Sequence, residues 1–101
     1  MGIYYKIFRI KNEEIYFLKH GGKVILGTWL KSKNGMVYDG SNKHYYEQGF
    51  HLFRSFGLAE KYLMRYKSII DKTILTVNAK GVSVKPTNKD VLLAKQIKVK
   101  Q

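Results

Sequence analysis

Gly49-Phe50-His51-Leu52-Phe53-Arg54-Ser55-Phe56-Gly57-Leu58-Ala59-Glu60-Lys61-Tyr62, residues 49–62, changes its hydrophobic period midway. The first part alternates Phe50 and Leu52 against His51 and Phe53, the two-residue repeat of a short strand, and Ser55 follows as a helix cap. From Leu58 the step is four. Leu58, Tyr62 and Tyr66, flanked by Ala59, Leu63 and Ile70, describe one apolar face of an amphipathic helix near residues 57–68. Lys61 and Arg65, also four apart, fall on another, solvated face.

Upstream, β-branched and aromatic residues cluster between Gly and Asn punctuation, which reads as a meander. Strands are expected over residues 2–10, 14–19 and 23–30, the third containing Trp29. Turns at Lys11-Asn12-Glu13 and His20-Gly21-Gly22 join them. Lys33-Asn34-Gly35 is a tight-turn signal, after which Met36-Val37-Tyr38 returns as a short strand. Residues 39–48 carry no apolar period and read as an exposed loop of about ten residues, a length that is often functional.

Downstream, residues 73–79 favour a strand, Ala79-Lys80-Gly81 a turn, and residues 82–85 a strand pairing back until Pro86 stops it. In residues 91–100, Leu93, Ile97 and Val99 share one parity while Gln96, Lys98 and Lys100 share the other, the alternation of a half-buried strand. The chain is therefore expected to form one α+β domain over residues 1–101. Its architecture is an antiparallel or mixed sheet of about six or seven strands with one amphipathic helix packed on it.

The formal net charge is +12, from 19 Lys and Arg against 7 Asp and Glu. Such a field concentrates polyanions, of which nucleic acid is the commonest in a cell; the alternative is plain solubility. The first reading is favoured, because about 2 to 8 net charges suffice for solubility. Residues 72–101 hold seven lysines against the single acid Asp90, on strands whose polar parity faces outward.

The absence of cysteine excludes disulfides and Cys-based zinc sites. Neither a signal-peptide core nor an apolar run of roughly 18 residues is present, so a soluble protein of the cytoplasm, its own or a host's, is expected. His20, His44 and His51 lack metal-ligand spacing, and no metal or cofactor is expected. His20 reads as a turn residue and His51 as a half-buried, hydrogen-bonded side chain or a ligand contact. Nucleophile signatures, paired carboxylates and phosphate-cradling glycine loops are missing, so no catalytic residue is assigned.

Aromatics interleaved with basic residues are more informative, since rings stack on exposed bases while lysines hold phosphates. In Tyr4-Tyr5-Lys6-Ile7-Phe8, either Tyr4 and Phe8 or Tyr5 and Ile7 are expected to face the core. Lys43, His44, Tyr45 and Tyr46 in the central loop are candidate contacts, and Arg54, Lys61, Arg65, Lys98 and Lys100 complete the candidate binding set.

Gly49-Phe50-His51-Leu52-Phe53 is similar to the aromatic strand of RNA-recognition modules, but Gln48, His51 and Leu52 stand where basic, small and aromatic residues belong and no helix is expected between it and Ile15-Tyr16-Phe17-Leu18, so that family is rejected. Together with Tyr46, Ala59, Tyr62, Ile74, Val77, Gly81 and Leu93-Ala94, the same stretch resembles small phage-type domains with a G-F-H-x-F, x₅, A-x-x-Y core. That core is distantly similar to the central strand and helix of ADP-ribosyltransferase-like folds. The latter resemblance implies a nucleotide pocket beside His51 and Tyr62, in a degenerate, non-catalytic version because no catalytic glutamate lies late in the chain.

The function expected is a non-enzymatic, phage- or mobile-element-type binding protein engaging nucleic acid or a nucleoprotein, such as a CRISPR-like host defence effector, through a basic face and the aromatic loop. The alternatives are the degenerate nucleotide-binding domain or a minimal enzyme, and a protein interaction or assembly domain, which would display an exposed apolar patch. Oligomeric state is left open.

Overall fold

The computed structural model describes residues 2–18, 22–32, 35–39 and 44–100. Its elements run β1 (Ile3–Lys11), β2 (Glu14–Phe17), β3 (Trp29–Lys31), β4 (Met36–Asp39), β5 (His44–Glu47), β6 (Phe50–Leu52), α1 (Phe56–Leu63), β7 (Lys72–Lys85) and β8 (Asn88–Val99). Six strands form one antiparallel sheet in the order β2-β1-β7-β8-β3, with β6 also paired to β8, while β4 and β5 form a separate pair. The expected α+β class, a largely antiparallel sheet with a single packed helix, is the one that forms.

β1 turns into β2 through Asn12 and Glu13, at φ 52° and 65°. Two consecutive positive φ angles match the twist of a two-residue hairpin, and Asn tolerates that region better than most residues. β7 and β8 are the backbone of the fold, long antiparallel neighbours in register from Val77↔Val99 to Val84↔Leu92. The first half of β7 takes β1 on its other edge, through Ile3↔Asn78 to Arg9↔Lys72. β6 and β3 share the free edge of β8, opposite Leu92–Ala94 and Gln96–Lys98 respectively. Beyond β6, Phe53 returns to β1 and exchanges two backbone hydrogen bonds with Tyr5, so the sheet curls until β1-β7-β8-β6 meets β1 again.

This closure gives the sheet an inside and an outside. Phe8, Leu52, Val77, Ala79, Leu92, Ala94, Ile97 and Val99 fill the inside with Val24. Phe17 stacks on Phe50 at 5.5 Å and meets Phe8 at 6.0 Å. On the outside, α1 covers Ile7, Phe53 and Val91 with Ala59, Leu58, Tyr62 and Leu63. Both pairs left open on β1 are therefore in packing. Tyr4 and Phe8 face inward and Tyr5 and Ile7 lie beneath the helix, because the strand is covered on both faces.

Six expectations are corrected. Residues 79–85 do not turn back: Gly81, at φ 66°, bends one continuous β7. A Cβ at Gly81 would stand 2.8 Å from Lys95 Cγ, so the two strands approach closely where both change inward parity, from Ala79 to Val82 and from Ile97 to Ala94. Because of that change the inward partners of Ile97 and Val99 are Leu92 and Ala94, not Leu93. The hairpin turn falls at Pro86-Thr87, and β8 already begins at Asn88.

The expected strand over 23–30 survives only as a bridge at Lys23 and as β3, since Gly27 at φ 73° turns the chain from the β2 edge toward β8. Within the expected loop over 39–48, Asp39 ends β4 and His44–Glu47 form β5, with Met36↔Glu47 through Asp39↔His44 in register, since Tyr45 and Tyr46 are strand formers; residues 40–43 lie outside the described residues. The helix ends at Leu63, not Ser68. Arg65 and Tyr66 already donate to residues three back, and beyond Leu63 no core residue lies beneath it: Tyr66 is exposed and Ile70 is 94% exposed. The turns expected at His20-Gly21-Gly22 and Lys33-Asn34-Gly35 fall largely outside the described residues.

Candidate nucleic-acid interface

The helix α1 covers one end of the outer surface of the sheet. Farther along, β3, β8 and β7 lie side by side, with Glu47 of β5 reaching Lys95 next to them, and pairing sets their outward residues in two rows: Trp29, Lys98 and Asn78, then Lys31, Gln96 and Lys80. Orientation follows from burial. Leu30, Ile97, Val77 and Ala79 pack into the interior, so the alternate positions Trp29, Lys31, Lys98, Asn78 and Lys80 point out. Lys100 continues the parity of Lys98 and is exposed.

Trp29 belongs to neither core cluster and is half-buried. The ammonium of Lys80 lies 4.1 Å from its ring centroid and that of Lys98 lies 5.4 Å away. Each contact of this type contributes about 0.5–1 kcal/mol at an exposed site, from the attraction of a cation to the negative face of the ring. Among the described residues, Lys31, Lys80, Lys98 and Lys100 form no ion pair. Of the chain's seven carboxylates, four pair with other cations among the described residues: Glu14 with Lys23 (2.8 Å), Glu47 with Lys95 (2.7 Å), Asp71 with Lys72 (3.0 Å) and Arg9 (3.5 Å), and Asp90 with Lys61 (4.0 Å). Apart from the Lys72 side chain, 9% exposed, these groups face solvent and their pairs contribute little to stability; none of the pairs involves Lys31, Lys80, Lys98 or Lys100.

The residues expected to bind are not gathered in one place. Lys98 and Lys100 are on this face. Lys61 and Arg65 ride on or just after α1, where Lys61 approaches Asp90 and the Arg65 guanidinium stacks 4.3 Å from the Tyr62 ring. Arg54 is exposed just before the Ser55 cap, whose hydroxyl accepts from Leu58 N. Lys43 lies outside the described residues; His44 and Tyr45 are placed only as strand positions of β5. Tyr46 has the Lys85 ammonium 5.8 Å from its ring.

His51 is half-buried on β6 opposite Leu93, and its carbonyl accepts from Lys6 Nζ at 3.1 Å. Tyr62 packs 5.0 Å from Phe53, and its hydroxyl accepts from Asn88 Nδ2. Neither lines the cleft beside Gly81 or the groove beside Ile25. Among the described residues no group of three His, Asp or Glu side chains is placed to hold a metal ion, and no helix is long and apolar enough to cross a membrane.

Sequence reasoning misses Trp29, Lys31 and Lys80. Trp29 falls inside an over-long expected strand and Lys80 inside a turn that does not exist. The only local signal is the Trp29-Leu30-Lys31 alternation, with a core-type residue between two outward ones. Lys6, counted among the basic residues, shares the inward parity of Tyr4 and Phe8, and its ammonium lies 5.7 and 5.8 Å from the Phe8 and Phe50 rings.

No protein-family model, curated protein or solved structure matches this chain.

Proposed function

We propose that this chain is a non-enzymatic binding protein for nucleic acid, which it engages through the β3-β8-β7 face. The observation that carries this reading is the set Lys31, Lys80, Lys98 and Lys100 on or beside three adjacent strands, without carboxylate partners among the described residues, around the half-buried Trp29. Phosphate-binding lysines release condensed counterions, so affinity should fall steeply with salt. The test is fluorescence anisotropy of labelled oligonucleotides across about 50 to 200 mM salt. Binding that weakens with salt and is lost in Lys80→Glu with Lys98→Glu, but kept in Lys61→Glu, supports the reading. No binding at the low end, or equal loss in Lys61→Glu, overturns it.

A second reading, a protein interaction domain, is favoured by the exposed apolar run after α1, where Met64 is 66%, Ile69 44% and Ile70 94% exposed. Concentration-dependent association in sedimentation velocity, abolished by Ile70→Asp with Met64→Asp, supports it. A monomer at all concentrations, together with no partner bound through this run, removes it.

A further inference from the structure

We infer that the nucleic acid is single-stranded and that one unpaired base stacks on Trp29, displacing the Lys80 ammonium toward a phosphate; this rests on the proposed β3-β8-β7 interface.

Three observations point there. An indole on an edge strand of a sheet would usually be buried for its large apolar area, yet Trp29 alternates outward while Leu30 fills the interior. Its ring meets two ammonium groups, Lys80 at 4.1 Å and Lys98 at 5.4 Å. A lysine head on a flexible stem is easily displaced, because it exchanges a weak cation–π contact for a phosphate or for water. Lys80 and Lys98 therefore keep the ring accessible at little cost and stay within reach of the backbone of whatever stacks there.

The shape of the face decides between single strand and duplex. Trp29, Lys98 and Asn78 form one cross-strand row and Lys31, Gln96 and Lys80 the next, so the ring and the ammonium groups lie on one sheet surface. The helix α1 packs elsewhere, on Ile7, Phe53 and Val91. A duplex hides the faces of its bases and is read by an element inserted into a groove, whereas a single strand offers base faces to a ring and phosphates to flanking lysines. Asn78 and Gln96, the polar neutral residues of the two rows, are cross-strand neighbours of Lys98 and of Lys31 and Lys80 respectively, and supply donors and acceptors for a base edge.

Trp29 is the only tryptophan of the chain, so its fluorescence reports this site alone. The experiment titrates the whole protein with oligo-dT, oligo-rU and a blunt mixed-sequence duplex, each of about 12 nucleotides or base pairs. Fluorescence and, with labelled probes, anisotropy are followed, and the two single strands distinguish a DNA from an RNA preference. The single strands are expected to quench Trp29, and Trp29→Leu to weaken them about tenfold while duplex affinity moves less than about twofold. Trp29→Phe, which keeps a ring, is expected to recover most of the loss. Unchanged thermal unfolding of both variants shows that the fold is retained.

Salt-dependent, Lys80-dependent binding that ignores Trp29→Leu, or that favours duplex, overturns stacking and leaves the nucleic-acid interface standing. Absence of binding by all three probes overturns both.

Discussion

Tyr5 and Phe53 exchange two backbone hydrogen bonds, Tyr5 N to Phe53 O at 2.9 Å and Phe53 N to Tyr5 O at 2.8 Å. This single bridge joins β1 to the end of β6 and closes the curled sheet. Phe53 is 5% exposed and packs against Tyr62, so its side chain also ties the closure to α1. Phe53→Ala is expected to cost about 3–5 kcal/mol in urea unfolding. In hydrogen exchange the Tyr5 and Phe53 amides should be protected like the β7-β8 ladder; fast exchange would show that the closure does not persist.

Two glycines should respond in opposite directions. Gly81 needs φ 66° and has no room for a Cβ against Lys95, so Gly81→Ala should destabilise by about 1–2 kcal/mol. Gly57 sits in α1 with open space where a methyl group would project, so Gly57→Ala should stabilise by about 0.4–1 kcal/mol. Thermal midpoints of the two variants check both signs.

The helix cap is separable from the core. Ser55 Oγ accepts from Leu58 N at 3.2 Å, and α1 has no acidic residue in its first turn to share the task. Ser55→Ala should cost about 1 kcal/mol, and Ser55→Asp should restore it, by urea midpoint.

Acidification should act through Glu14 and Asp71. Hydrogen bonds from Lys23 and then Tyr16 hold the Glu14 carboxyl below its ordinary value, and the Lys72 hydrogen bond does the same for Asp71. A depressed folded-state value means that the stabilisation is complete above the ordinary carboxylate range and is lost as pH falls through the folded value. Both groups are solvent-facing, so the loss should be small. Carboxyl-carbon NMR titration should find both below the ordinary range, and Lys23→Gln should return Glu14 toward it.

Salt dependence counts the phosphate contacts. If Lys98 holds one phosphate of a single strand, Lys98→Gln should lower the slope of log affinity against log salt by about 0.7. The Arg65→Gln slope should not change, since its guanidinium is stacked on Tyr62 away from the sheet face.

The hydrophobic period by itself determined that residues 49–62 change from strand to helix, that Ser55 caps, and that Phe50 and Leu52 oppose Phe53, because these depend on neighbours within a turn or a pleat. The count of charged residues determined the excess of positive charge and its concentration in residues 72–101. The period did not determine where the helix stops, since Tyr66 and Ile70 continue it but find no core beneath them. Nor could it show that Gly81 bends a strand instead of ending one, because a positive φ serves either purpose until the partner strand is known. Only the tertiary structure brought Trp29, Lys80 and Lys98 together. They come from one hairpin, β7-β8, and from β3 far upstream, and which of their faces turns outward is set by pairing to β8 and by the change of parity at Gly81 and Lys95.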